Sequence, residues 1–247
     1  MESSLKVLMD VNALVDDAAV RVVAACREAI AERGQFTIAL AGGSTPKPLY
    51  EKLSAQDLPW DKIHVFWGDE RYVSATHPDS NEGMARRAWL DRVPFPAENL
   101  HPMPTQAIDP AESAQQYEAH LRAFFGDSFF GTQEIPTFDL ILLGLGDDGH
   151  TASLFPHTEV LNLCDRLIGV GYRGSDPRLT FTIPLINQAR CVLFLVTGSS
   201  KKPALNAIFS DRADPFTYPA RFIQPNGKLY WLLDQAAGEG LNVNSVD

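Results

Sequence analysis

The run Leu140-Ile141-Leu142-Leu143-Gly144-Leu145 is the feature that most narrows what this chain can become. It carries no charge and no polar/apolar alternation, so it reads as a strand buried on both faces, the kind found in parallel sheets covered by helices on either side. The run breaks directly into Gly146-Asp147-Asp148-Gly149, then His150, and then a short helix expected over 151–155, which Pro156 stops. One histidine is thereby delivered to the carboxyl end of a central strand. Open α/β sheets hold their ligands in the crevice at that end.

Three other apolar runs end in a similar way. Residues 36–41 read as a buried strand followed by Gly42-Gly43-Ser44-Thr45-Pro46. The glycines let the backbone turn tightly and approach a ligand, Ser44 or Thr45 can cap the next helix, and Pro46 suits its first position. The resulting helix start, with free N–H groups, suits a phosphate or carboxylate, although a plain strand-to-helix turn uses the same residues. A strand within 60–67 ends in Gly68-Asp69-Glu70-Arg71-Tyr72, placing three charges where they share a crevice with the glycine turn. Arg71 is the cation best suited to bidentate phosphate contact, because its planar fork matches oxyanion geometry; the alternative is a solvated surface cluster. The strand at 191–196 runs into Thr197-Gly198-Ser199-Ser200-Lys201-Lys202, which opens a helix to about residue 209. A lysine at a helix start opposes the positive end of the helix, and a bound anion would resolve that conflict, whereas an exposed lysine pair needs none.

The remaining stretches read as scaffold. A short strand at 5–9 precedes a long helix, capped by Asp10 or Asn12 and ending before Gly34, with Leu14, Val15, Ala18, Val22, Cys26, Ala29 and Ile30 forming one apolar stripe. A turn at 77–81 leads into a helix begun by Ser80 or Asn81 and running through Trp89. Residues 94–109 are irregular, 110–125 helical, and 126–136 a loop. Strands are expected at 167–172 and 179–183 with 173–178 as the turn between them, and a last strand at 229–233. His64, inside a strand pattern, reads as structural, while His77 lies on a loop. The first few residues and 238–247 look loose.

Composition limits the partners. The formal net charge is -10, which argues against nucleic acid and anionic membrane surfaces. It also means that an anionic ligand must be attracted by a few local cations. No apolar run is long enough to span a membrane and the amino terminus lacks a signal-type pattern, so a cytoplasmic location is expected. Cys26, Cys164 and Cys191 show no C-x-x-C pairing and read as reduced buried thiols rather than a disulfide or zinc site. Without a linker or repeat, residues 1–247 are expected to form a single α/β domain.

Four blocks together, A-G-G-S-T-P at 41–46, W-G-D-E-R at 67–71 with D-S-N at 79–81, G-L-G-D-D-G-H-T-A-S-L-F-P at 144–156, and T-G-S-S-K at 197–201, resemble the 6-phosphogluconolactonase family. The resemblance implies a Rossmann-like, mostly parallel sheet flanked by helices, similar to glucosamine-6-phosphate deaminase and ribose-5-phosphate isomerase, with no cofactor and no nucleotide. The deaminases share the glycine turn and a G-x-D-G-H block, but there tyrosine follows the aspartate-glutamate pair and the histidine block continues toward F-N-E-P. Here Arg71 follows Glu70, and S-L-F-P follows the T-A after His150. A non-catalytic sugar-phosphate-binding regulator would need no histidine beside an aspartate.

The implied reaction is hydrolysis of 6-phosphoglucono-1,5-lactone, a small phosphorylated sugar lactone, by a monomer or small homo-oligomer. His150 is then the base, kept neutral by the following helix start, with Asp148 as its orienting acid and Asp147 as the alternative. The resemblance assigns Arg71 and Lys201 to the phosphate, with Lys202 as the alternative lysine. Gly42, Gly43, Ser44 and Thr45 complete the cradle, and Asp69 joins the substrate-binding set. No metal-ligand cluster is visible, so no metal is expected.

Overall fold

The computed structural model describes residues 2–126, 135–210 and 213–241. Its strands are β1 (Glu2–Leu8), β2 (Phe36–Leu40), β3 (Ile63–Trp67), β4 (Asp69–Arg71), β5 (Leu140–Leu143), β6 (Ile168–Arg173), β7 (Asp176–Phe181), β8 (Cys191–Val196) and β9 (Lys228–Asp234). The helices are α1 (Val11–Arg33), α2 (Lys47–Leu53), α3 (Asn81–Ala88), α4 (Pro110–Phe125), α5 (Ile183–Asn187), α6 (Lys202–Ile208) and α7 (Gln235–Gly238).

Six strands form one sheet in the order β1-β9-β8-β5-β2-β3, and every pairing in it is parallel. The central run behaves as its lack of alternation demands, with β5 buried along its whole length. Its side chains divide by period two between two cores: Leu140 and Leu142 join one, Ile141 and Leu143 the other. The first core is filled by the α1 stripe and by Leu49, Tyr50 and Leu53 of α2; the second takes Tyr117 and Leu121 of α4 and Leu205 of α6. Asp10 caps α1 by accepting from the Ala13 N–H, and Gly34 ends it in the left-handed region. The fold is thus a parallel sheet with helices on both faces.

Three local expectations differ from the structure. First, the strands expected at 167–172 and 179–183 extend towards each other, running to Arg173 and from Asp176, so most of the turn expected at 173–178 is strand. As β6 and β7 they form an antiparallel hairpin, to which Asp69-Glu70-Arg71 adds as β4, so the charged cluster is itself a strand. Second, no helix follows His150. Residues 151–154 form a turn closed by a bridge between Thr151 and Leu154, with Ala152 at φ 48. Side-chain bonds compete with the helix there: the Thr151 hydroxyl donates to the Gly144 carbonyl, and the Ser153 N–H donates to the Thr180 hydroxyl. Third, α2 starts at Lys47 with Pro46 as its N-cap, and neither Ser44 nor Thr45 caps it.

Of the three cysteines, Cys26 is buried as expected, but Cys164 is exposed and Cys191 half-buried; none of them is joined in a disulfide among the described residues. His64 is part of a row in which its Nδ1 lies 3.1 Å from Nε2 of His101, whose Nδ1 lies 2.9 Å from Nε2 of His120. Most of the loop expected at 126–136 and most of the tail at 238–247 lie outside the described residues. Among the described residues no helix is long and apolar enough to cross a membrane, and no cluster of three metal-ligating side chains occurs.

Candidate active site

The carboxyl ends of β2, β3, β5 and β8 open into a cavity of about 530 Å³. Parallel strands all point the same way, so four strand-end turns distant in sequence converge on one rim. Gly42, Gly43, Ser44, Thr45, Asp69, Arg71, Asp148, His150 and Lys201 all line it.

The histidine turn is a compact, self-bonded loop. The Gly146 N–H donates to the His150 carbonyl at 2.8 Å, and the Gly149 N–H to the Gly146 carbonyl at 3.0 Å. A Cβ on Gly146 would stand 2.0 Å from Nδ1 of His150, so only glycine lets the ring lie back against the loop. The Asp148 carboxylate Oδ1 is 2.5 Å from His150 Nδ1 and accepts from the His150 backbone N–H at 3.1 Å. Burial by itself would raise the Asp148 carboxyl, but these two bonds hold it below the ordinary carboxylate value. With Nδ1 bonded to an acceptor-only carboxylate, the neutral ring carries its proton there and leaves Nε2 as the basic nitrogen. The ring packs on Phe155 at a centroid distance of 4.7 Å. Because no helix begins at Thr151, the helix-dipole reason for a neutral imidazole does not apply; Asp148 and the loop define the histidine's surroundings.

Asp147 points elsewhere. Its Oδ1 accepts from Lys201 Nζ at 2.5 Å and from the Ser200 hydroxyl at 3.0 Å. These bonds, the lysine's foremost, hold the carboxyl below its usual value. The anion that a lysine at this helix start calls for is therefore supplied from within the chain. Lys202 pairs with Glu239 instead and does not line the cavity.

On the opposite wall the cation is Arg71, whose Nη1 donates to the Asp79 carbonyl at 2.5 Å while its Nε is buried without a hydrogen-bond partner among the described residues. Arg71 lies directly opposite Arg178 in the antiparallel pair of β4 and β7, and Arg173 also reaches the cavity. Like charges paired across strands repel. Burial and then the neighbouring Arg71 weaken the hold of Arg178 on its proton. An anion between these guanidinium groups relieves that repulsion. Arg173 and Arg178 fall where the sequence suggests a turn, and no local signal could reveal a partner more than a hundred residues away.

Asp69 is buried beneath this wall, accepting from the Ser153 hydroxyl at 2.7 Å, while its main-chain carbonyl accepts from Asn81 Nδ2 at 2.9 Å. The Asn81 amide is packed so closely on the glycine turn that a Cβ on Gly42 would meet its Oδ1 at 1.9 Å. Thr45 and Thr197 share a hydroxyl hydrogen bond at 2.9 Å, which ties the first strand-end turn to the last. Asn81, Ser153 and Thr197 fall within the sequence blocks, Asn81 as a candidate helix start, but the sequence alone gives them no role in the site.

The glucosamine-6-phosphate isomerases/6-phosphogluconolactonase family matches residues 9–231. A 6-phosphogluconolactonase of Synechocystis sp. is 62% identical, across 98% of this chain and 99% of that protein. Among solved structures, 6-phosphogluconolactonase from Trypanosoma brucei superposes with a TM-score of 0.87 at 31% identity, covering 97% of this chain and 99% of that one. A monomeric glucosamine-6-phosphate deaminase shares the fold at a TM-score of 0.77 and 20% identity, with 96% and 99% coverage.

Proposed function

The chain belongs to the glucosamine-6-phosphate isomerase/6-phosphogluconolactonase family, and from that premise we propose that it hydrolyses 6-phosphoglucono-1,5-lactone to 6-phosphogluconate, the lactone-opening step of the oxidative pentose phosphate pathway. The observation that carries this reading is the opposition, across one cavity, of a carboxylate-bound histidine and a cluster of arginines.

A lactone carbonyl is already electrophilic, so the chain must supply a base for water and a fixed position for the substrate. His150 Nε2 takes a proton from water as the water oxygen bonds to the carbonyl carbon, and Asp148 stabilises the imidazolium that forms. The bond from that carbon to the ring oxygen then breaks, and the ring oxygen receives the proton from His150. Arg71, Arg178 and Lys201 hold the 6-phosphate, with the turn at 42–45 beside them. Charge-assisted bonds of roughly 1.5–3 kcal/mol each offset the repulsion of an anion by an acidic protein. Lys201 joins this set by exchanging Asp147 for phosphate. Asp69, fixed by Ser153, faces the cavity as an acceptor for a sugar hydroxyl.

The test is proton release from freshly made 6-phosphoglucono-1,5-lactone, corrected for spontaneous opening. The enzyme should accelerate it, act far more weakly on the unphosphorylated lactone, and retain its rate in EDTA. A rate no faster than the spontaneous one would overturn the reading.

A further inference from the structure

Glu70 sits between two residues that line the cavity, yet it is not among the lining residues and is only 3% exposed. A buried carboxylate requires donors to offset its desolvation, and Glu70 has four. Oε1 accepts from the backbone N–H groups of Arg71 and Asn81, both at 2.8 Å. Oε2 accepts from the Glu82 N–H at 2.7 Å and from the Ser80 hydroxyl at 3.1 Å. One donor comes from β4 and the others from Ser80 and the first turn of α3, so the carboxylate joins two elements that the Asn81 side chain also ties together at the Asp69 carbonyl. Four donors aimed at one point fit only an acceptor group; a glutamine would turn its single NH2 group against two of them.

The segment gathered in this way also holds the guanidinium of Arg71. Arg71 Nη1 donates to the carbonyl of Asp79, one residue before Ser80. The arginine is therefore fixed at its backbone by Glu70 directly and at its side chain through a segment that Glu70 anchors. We propose that Glu70 is a positioning residue for the phosphate site: it locks β4 to the start of α3 and so holds Arg71 in place over the cavity. Burial pushes this carboxyl up to about 7, and the backbone N–H groups of Glu82, Asn81 and Arg71 pull against that shift. The charged neighbours are Asp69 and Arg71 on β4 and Glu82 on α3.

This inference rests on the assignment of Arg71 to the substrate phosphate, and the experiment separates the two. Glu70→Gln, Glu70→Asp, Arg71→Ala and the double variant Glu70→Gln/Arg71→Ala are assayed on fresh lactone, with 6-phosphogluconate binding measured by calorimetry. Glu70→Gln should raise KM and the product Kd about tenfold, which is ~1.4 kcal/mol, with kcat within about twofold of wild type. Glu70→Asp, which keeps the charge, should recover part of that loss, and the glutamine should add little in the Arg71→Ala background. A purely structural glutamate would instead lower the melting temperature and leave KM unchanged, and that result would overturn the proposal. Should Glu70→Gln fail to fold, Glu70→Asp decides: a KM raised severalfold supports the proposal and a wild-type KM overturns it. A wild-type KM in Arg71→Ala would remove the phosphate assignment itself, whereas a raised KM there with a wild-type KM in Glu70→Gln would remove only the role of Glu70.

Discussion

Asp148 grips His150 twice, through the ring nitrogen Nδ1 at 2.5 Å and through the backbone N–H at 3.1 Å. One carboxylate thus sets both the tautomer of the ring and the shape of the loop that carries it. His150→Ala should lower kcat by roughly 10²–10⁴ while the Kd for 6-phosphogluconate stays near wild type. Asp148→Asn should cost less than His150→Ala but still act on kcat, because the amide offers no charge to the imidazolium. Steady-state kinetics with calorimetry on both variants checks this, and a wild-type kcat in His150→Ala would remove the base assignment.

Arg178 faces Arg71 across two paired strands, a repulsive arrangement unless an anion sits between them. Arg178→Ala should therefore raise KM by about ten- to a hundredfold, the range for losing one charge-assisted contact. Stability should fall little or even rise in the ligand-free protein, since a like-charge pair has been removed. Thermal melting with and without 6-phosphogluconate shows both effects: the ligand-induced rise in Tm should shrink in the variant.

Asp147 holds Lys201 in an ion pair at the cavity. Replacing it with asparagine frees the lysine and removes a negative charge beside the incoming dianion. An exposed ion pair contributes about 0.2–1 kcal/mol, so Asp147→Asn should tighten 6-phosphogluconate binding by up to about fivefold. The gain should vanish when Lys201 is also changed to glutamine. Binding that weakens in Asp147→Asn would show that the aspartate orders the loop rather than competing for the lysine.

The histidine row gives the stability a pH dependence of definite sign. His101 is pushed down to about 3, by burial first and then by the charges of His120 and His64. The folded protein therefore holds this ring neutral, while the unfolded chain binds a proton near pH 6.5. Between those values the unfolded state carries more protons, so stability is fully present above about pH 6.5 and is lost as pH falls. At pH 5 the loss from this residue alone reaches ~2 kcal/mol. Urea unfolding at pH 5 and pH 7.5 should show the lower midpoint at pH 5, and His101→Phe, which keeps the stacking on Phe66 at 4.2 Å, should narrow the difference.

Much of this architecture is written locally. The unbroken apolar run at 140–143 calls for an element covered on both faces, and Asp10 with Gly34 brackets α1 by backbone chemistry alone. Where local rules compete, neighbouring residues do not decide the outcome. Thr151 to Phe155 has the composition of a short helix, but Ser153 and Thr151 bond instead to groups outside any helix, and that preference depends on partners at Thr180 and Gly144. Asp69 to Arg71 reads as a charged cluster past a strand end, not as a strand, because its strand partner is more than a hundred residues away.

By itself the sequence determined that strand-end turns would bear a histidine, a glycine pair, an arginine and a lysine, because hydrophobic period and turn chemistry are properties of neighbouring residues. It also favoured Asp148 over Asp147 and Lys201 over Lys202, but only the tertiary structure shows which contacts form. Asp148 rather than Asp147 meets the ring of His150, Lys201 rather than Lys202 reaches the cavity, and Arg178 joins Arg71 on its wall. Each of those choices is made by distances across the sheet, where residues far apart in the chain compete for the same charges.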